Sequence, residues 1–522
     1  MAATAIGKYR WRICALLFFA TTINYMDRSI LGVLAPTLQY KVFNWTDNQY
    51  AWINIWFKVA YAIGMLSMGA IIDRFGTRIG YTLSIAIWSV FGMLHAAVRP
   101  AFSFLGFSAA RFGLGLGESG NFPAAIKTVG EWFPKRERAF ATGIFNAGSN
   151  VGAILAPLVI PLIVWPDGKN WQFAFLTTGV FSALWVLLWW KTYRRPDIHP
   201  RLSKAEHDYI HSDSVAETAT VKVPWLKVLP LRETWAFALA KMTDAVWWFY
   251  LFWGGKFLFD RFGLNIKSLA LPLITIYVIA DGGSIIGGWM SSFFIKRGWP
   301  VNRARKVTLL LCALAIMPVM FVTTINTRFN VNDRFFERLQ TATFTTEQVV
   351  TVDGRTGAQR VKKTVPPEVQ AALRALEGQS FASAKEFLAA VGDVITSEKA
   401  KEMGDAFIFS GRSDSYYWIA VLLIALGAGA HQAWSCNLFT LVSDVFPKKA
   451  TASVTGIGGM VGAVAGLVAD YSLGRVLTAS GPSGYFFAFM VAGSCYLILL
   501  GVAHVLMPRM TPLDENLRHV TA

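Results

Sequence analysis

Between residues 172 and 191 the chain reads QFAFLTTGVFSALWVLLWWK, and its only charge is the final Lys191. A helix needs about 20 such residues to cross the roughly 30 Å hydrocarbon core of a bilayer at about 1.5 Å per residue. Helices are the form such runs take, because lipid offers no partner to an unpaired peptide group. Eleven further runs of this kind lie at about 11–38, 49–71, 79–98, 101–127, 140–164, 234–259, 269–295, 306–325, 416–443, 451–474 and 485–507. They predict an all-α membrane protein with twelve transmembrane helices. At 54% hydrophobic and 16% charged residues, the chain has more apolar surface than a soluble core could hide. The start of the chain mimics a secretory leader, with Lys8, Arg10 and Arg12 before an apolar run. That run continues past Asp27 with no small-residue cleavage site, so it is expected to remain as the first span.

The net charge of +17 is not a nucleic-acid signal, because the basic residues sit in alternate short loops. Arg74 and Arg78, then Lys135, Arg136 and Arg138, then eight Lys/Arg between 191 and 232, then Lys296, Arg297, Arg303, Arg305 and Lys306 all follow even-numbered spans. By the positive-inside rule those loops and both termini are expected to be cytoplasmic. The polar stretch 193–232, with the amphipathic LSKAEHDYI, divides the chain into bundles of six helices at 1–192 and 233–522. Residues 326–412 form an insertion on the extracytoplasmic face, nearly neutral with 12 Lys/Arg and 11 Asp/Glu. Its EQVVTVDGRTGAQRVKKTV predicts a hairpin, and PPEVQAALRALEG and SAKEFLAAVG predict two short helices, so a small α+β cap is expected. Cys14, Cys312, Cys436 and Cys495 lie in apolar runs, with no disulfide framework and no CxxC metal pattern.

Within the fourth run, RFGLGLGESGNFPAAIKTVGEWFPKRER (111–138) sets ionisable groups among glycines. Arg111 and Glu118 are seven apart, about two helical turns, and share a face. Charges at that depth turn away from lipid and mark a pathway, or else lock helices together as a structural pair. Glycines 113, 115, 117 and 120 leave room for a neighbouring helix or a ligand, and Pro123 is expected to interrupt the helix. The end of the stretch occurs twice. VGEWFPKRERAFATGI from Val129 aligns without a gap with VSDVFPKKATASVTGI from Val442, matching Glu131 with Asp444, Pro134 with Pro447 and Gly143 with Gly456. A duplicated bundle follows, with two pseudo-symmetric halves about a central axis.

The loop GAIIDRFGTR (69–78) resembles the major facilitator signature Gly-x-x-x-Asp-Arg-x-Gly-x-Arg, with Thr77 in place of the usual basic residue. Its Gly69, Asp73, Arg74, Gly76 and Arg78 are the gate motif, in which Asp73 can accept hydrogen bonds in one gate state and release them in the other. The mirrored GGWMSSFFIKRG from Gly287 carries serines where the acid should be. Within that superfamily, INYMDR (23–28), RFGLGLGESGNFP, WWFYLFWGGKFLFDRFGLN (247–265) and AHQAWSCNLFTLVSDVFPKK (430–449) resemble the anion:cation symporter branch, and most closely its bacterial hexuronate transporters. The similarity spans nearly everything but the insertion. It implies that Asp27 and Glu118 are proton-coupling carboxylates and that Arg28 and Arg111 serve the anion.

A hexuronate presents one carboxylate and several hydroxyls, so a dry site needs a cation and a set of polar or aromatic partners. Lys58 and Lys256 are further cationic candidates; alternatively Lys58 snorkels or pairs with an acid, and Lys256 sits at the outer interface. Tyr25, Tyr61, Asn146, Asn150, His431, Gln432 and Asn437 are the polar groups within spans, some of them interhelical glue. In the aromatic run from Trp247 to Trp253, Trp248 and Tyr250 are the residues expected at the sugar. The expected function is proton-coupled import of a sugar-acid anion by a monomer in lipid, through alternating access and without a cofactor. A carboxyl changes its proton affinity as its cavity exchanges dry for wet surroundings, which is the physical basis of coupling. The alternatives are an aldonate or aromatic acid as substrate, or sodium as coupling ion. More distant is a membrane receptor or enzyme that uses the insertion, although no nucleophile with a base, metal cluster or phosphate loop occurs.

Overall fold

A computed structural model describes the chain apart from residues 1–6, 166–167, 213–224, 326–327, 353–354, 412–416, 515 and 520–522. Helix α1 (Tyr9–Pro36) continues into a π-helical turn, Thr37–Val42. Helix α2 (Asp47–Leu94) opens on a capping box between Thr46 and Gln49 and folds back at Gly76, whose φ of 77° few side chains tolerate. Its two limbs occupy the runs at 49–71 and 79–98.

The fourth run divides into α3 (Ser103–Glu118) and α4 (Asn121–Trp132). This corrects the expected interruption at Pro123. Proline lacks the N–H that would bond to the carbonyl four residues earlier, so the helix breaks upstream, at Ser119–Gly120, and Pro123 sits in the first turn of α4. The four glycines are filled by a neighbour, not left open for a ligand. A Cβ on Gly115 would lie 2.4 Å from the Phe57 carbonyl oxygen, and one on Gly117 2.5 Å from the Trp88 nitrogen, both on α2.

Helices α5 (Lys135–Ile163) and α6 (Gln172–Thr192) complete the first part of the bundle. Short helices α7 (Lys204–Ile210) and α8 (Trp225–Val228) lead to α9 (Arg232–Ala240), then a 3-10 turn, then α10 (Asp244–Phe262), so the run at 234–259 is also discontinuous. Helices α11 (Ala270–Lys296) and α12 (Val301–Ile316) follow, the latter extended by the 3-10 stretch Met317–Thr324.

The segment that follows has its own order: β1 (Phe329–Asn330), α13 (Asp333–Thr341), β2 (Thr343–Val352), β3 (Arg355–Thr364), α14 (Pro367–Leu373), β4 (Ser380–Phe381), α15 (Ala384–Val394) and α16 (Ser397–Gly411). β2 and β3 pair antiparallel from Thr343 opposite Thr364 to Val352 opposite Arg355, and β1 pairs with β4. Helix α13 starts at an Asn332 cap, whose side chain accepts from the Phe335 N–H at 3.1 Å, a signal that sequence reasoning missed. Phe335, Phe387, Val391, Phe407 and Ile408 form a separate core that takes in Phe259 of α10. Helices α17 (Tyr417–Val445), α18 (Lys448–Ser480) and α19 (Tyr485–Leu506) end the bundle.

Leu162, Ile285 and Val505 expose most of their surface on the perimeter, whereas Trp88, Trp189, Trp253, Trp434 and Arg111 are fully buried. That distribution is a lipid-facing belt around a packed axis. Among the described residues, seven helical stretches are long and apolar enough to cross a membrane by length and composition alone. The second limb of α2 and α18, which carries Asp470, are among them, whereas α3 is shorter at 16 residues. The duplicated segments share one backbone. Pro134 (φ −61°, ψ 154°) and Pro447 (φ −62°, ψ 148°) each start a long helix directly after a buried phenylalanine.

Candidate functional site

Adjacent residues on α1 point about 100° apart, and the consequence for Asp27 and Arg28 is that they face different helices. Arg28 reaches α3, where Nη2 lies 2.7 Å and Nε 2.9 Å from Oε2 of Glu118. Its Nη2 also donates to Asn24 at 3.4 Å. The guanidinium carbon stands 4.7 Å from the Tyr25 ring, 4.9 Å from Tyr61 and 5.5 Å from Trp248. Trp248 belongs to α10, so this site is lined from both sides of the bundle.

Asp27 turns instead to α6, where Ser182 Oγ donates to its carboxylate at 3.4 Å and itself accepts from the Trp88 indole at 3.0 Å. It is 3% exposed and has no cation at ion-pair distance among the described residues. Thus the two carboxylates paired in function by sequence resemblance differ in environment: Glu118 is held by arginine, and Asp27 by hydroxyls.

Arg111 shares its face of α3 with Glu118 but does not bond to it. All three guanidinium nitrogens lack a hydrogen-bond partner, at 0% exposure, with the rings of Phe57 at 4.7 Å and Phe252 at 5.5 Å. A buried guanidinium with five donors and no acceptor is costly, and a carboxylate is the ligand whose two oxygens match its fork.

Lys58 on α2 pairs with Asp470 of α18 at 2.7 Å, donates to the Gly466 carbonyl at 3.2 Å, and lies 5.5 Å from the Trp248 ring. Trp253 donates to the other Asp470 oxygen at 3.1 Å. Asp470 did not figure among the sequence candidates, although an acid inside the apolar run 451–474 is the same signal that singled out Glu118. Lys256 is committed to a network at the end of the bundle next to the insertion. It pairs with Asp47 at 2.9 Å and with Asp260, and donates to Tyr40 at 2.8 Å. Tyr40 and Tyr485 both donate to Asp260, at 2.6 and 3.0 Å. This tie joins α1, α2, α10 and α19. The insertion enters it through Lys385 to Asp47 at 3.4 Å and Asp405 to Lys41 at 2.6 Å.

The remaining candidates divide. Tyr25, Tyr61 and Trp248 surround Arg28, half-buried. Asn146 is exposed and Asn150 half-buried, the latter accepting from Ser149 at 3.3 Å. Asn437 is buried and bonds to the carbonyls of Gly287 and Ala433, tying α17 to α11. His431 meets Tyr496 OH at 2.6 Å and stacks on Trp247, while Gln432 is half-buried. Tyr250 is buried beside Gly427. In the gate motif, Gly76 makes the turn, Arg78 donates to the Trp190 carbonyl at 2.6 Å, Arg74 is exposed and Gly69 has open space around it. The Asp73 side chain lies outside the described residues.

A bundle with an apolar perimeter and paired or unsatisfied charges along its axis defines a multi-pass membrane transporter, not an enzyme. Residues 17–331 match the Major Facilitator Superfamily, and the chain belongs to that family. It is 34% identical over 320 residues to the galacturonate transporter of Dickeya chrysanthemi, covering 60% of this chain and 90% of that one. To the hexuronate transporter of Escherichia coli (strain K12) it is 32% identical over 319 residues, covering 60% and 72%. A bacterial homolog to the human lysosomal transporter Spinster, in an inward-facing and occupied conformation, has the same fold. Its TM-score is 0.62 at 16% identity, with 99% of this chain and 100% of that one covered.

Proposed function

We propose that this protein imports a hexuronate or a close sugar-acid anion together with protons, through twelve spans in two six-helix halves with both termini cytoplasmic. The observation that carries the reading is Arg111, a fully buried guanidinium without an acceptor, on the same helix α3 as Glu118 of the Arg28–Glu118 pair. The names of the two relatives, both transporters of uronates, support the same substrate class.

In this reading the carboxylate docks on Arg111 between Phe57 and Phe252, and Tyr25, Tyr61 and Trp248 face the ring. A proton arriving at Glu118 from outside weakens its hold on Arg28, which then turns to the substrate. Loss of that proton to the cytoplasm restores the pair and expels the anion. Asp27, surrounded by hydroxyls, holds a second proton without depriving an arginine of its partner. The tie of Lys256, Asp47, Asp260 and Tyr40 is the outer gate, and it must open for substrate to enter. The test is uptake of labelled galacturonate, glucuronate, galactonate and benzoate into proteoliposomes under separate proton and sodium gradients. Uptake of a uronate driven by protons alone is expected. Preference for an aldonate or benzoate, or sodium drive, would replace the corresponding part of the proposal.

The insertion on this reading caps the outer gate without building the site. Replacing 328–411 by a glycine/serine linker leaves Asp47 with Lys256 and removes the Lys385–Asp47 and Lys41–Asp405 pairs and the apolar cover over Phe259. The change in closure entropy is small. Proton-driven uptake is therefore expected to persist, with apparent affinity changed by about tenfold at most. Initial rates against substrate concentration at matched membrane expression decide it; a well-expressed deletion that binds no substrate makes the insertion part of the site.

A further inference from the structure

Away from the bundle axis, the 3-10 turn Pro196–Ile198 after α6 and the helix α7 bring Asp197, His207 and His211 together. One ligating atom from each lies within 4.8 Å of the other two. Nε2 of His211 is 3.4 Å and Nε2 of His207 3.8 Å from the same Asp197 oxygen, Oδ1. The imidazole centroids are 4.4 Å apart. Arg195 pairs at 3.3 Å with the other oxygen, Oδ2, and leaves Oδ1 to the histidines.

The second nitrogen of each ring is engaged. Nδ1 of His211 meets the His207 carbonyl oxygen at 2.9 Å, and Nδ1 of His207 meets Asp208 Oδ1 at 3.4 Å. Those acceptors assign the proton of each neutral ring to Nδ1, which turns the Nε2 lone pair toward Asp197. In that tautomer two lone pairs and a carboxylate oxygen face one another within 4.8 Å, an arrangement that a cation between them would satisfy. Metal-ligating histidines have this habit, giving the outer N–H to a carboxylate or a carbonyl. Zinc at about 2.0–2.1 Å from nitrogen and oxygen ligands sets them about 3.3 Å apart in a tetrahedron, near the 3.4 and 3.8 Å from the two histidines to Asp197.

We propose that Asp197, His207 and His211 bind Zn²⁺, with water as the fourth ligand, on the polar segment between the two parts of the bundle. The ion would fasten α7 to the end of α6. The same helix already holds the start of α1, where Glu206 accepts from the backbone of Tyr9 and Arg10, each at 3.0 Å, and Tyr209 donates to Glu137 of α5 at 2.7 Å. Zinc would thus stiffen the junction at which α1, α5 and α6 meet the linker.

The experiment uses the full chain, purified in detergent without a histidine tag, stripped with chelator, equilibrated with micromolar ZnCl₂ and desalted. Metal counting should find about one zinc per chain, falling to background in the His207→Ala/His211→Ala double variant. Asp208→Asn should weaken binding about tenfold or more while keeping all three ligands. Zinc should raise the melting temperature of the wild type and leave that of the double variant unchanged, with monodisperse elution of both as the check on folding. Equal zinc retention by wild type and double variant overturns the site, and so does an unchanged affinity for Asp208→Asn together with no thermal shift in the wild type. None of these readouts depends on which anion is carried.

Discussion

Arg111→Lys is expected to reduce hexuronate uptake about 10–100-fold while leaving expression and detergent stability near wild type. The expectation rests on what the guanidinium does and does not touch. Its nitrogens have no hydrogen-bond partner in the protein, so the fold loses only ring contacts, which a lysine ammonium can still make with Phe57 and Phe252. The substrate loses more. A bidentate fork becomes a single point of contact, and one hydrogen bond to a charged group is worth about 1.5–3 kcal/mol, which corresponds to about 10–100-fold in affinity. Initial-rate uptake and substrate-induced thermal shift, measured together, check both halves. Uptake within about twofold of wild type would remove Arg111 from the site.

Glu118→Gln should abolish uphill uptake driven by a pH gradient while substrate counterflow persists, because the amide imitates the protonated acid and leaves Arg28 free for the anion. The cost to the fold is a real competitor. Removing one partner of a buried pair destabilises by about 3–5 kcal/mol, and Arg28 would keep only Asn24 and its aromatic neighbours. Asp27→Asn provides the contrast. Its carboxylate has the hydroxyls of Ser182 and Thr178 as partners and holds no cation, so the amide should lose proton-driven accumulation with little loss of stability. Counterflow retained in both variants, with accumulation lost, supports coupling at these acids. If Glu118→Gln neither binds substrate nor survives extraction, the pair is structural, and normal accumulation by Asp27→Asn takes that residue out of the proton path.

The helical spans were legible because apolar runs of about 20 residues leave a chain few alternatives in lipid, and the duplicated Val129 and Val442 segments announced two related parts. The charged candidates were legible for a similar reason: an ionisable residue in such a run needs an interior reason to be there. Partners were not. Arg111 and Glu118 share a helical face, yet Glu118 bonds to Arg28, because the crossing of α1 against α3 sets which guanidinium is within reach. Lys58 meets Asp470 across 412 positions of sequence and Lys256 meets Asp47, pairings fixed by how α2 packs on α18 and α10, whereas the Lys256–Asp260 pair lies within α10, four residues apart. The break before Asn121 could be placed only with the backbone in hand, since a proline displaces the fault to the carbonyl four residues upstream. Sequence by itself determined the apolar helical runs and which groups would be costly inside them. Tertiary structure alone decided which of those groups neutralise one another and which, like Arg111, stay without a hydrogen-bond partner, because burial cost is a property of one residue and compensation is a property of distance between two.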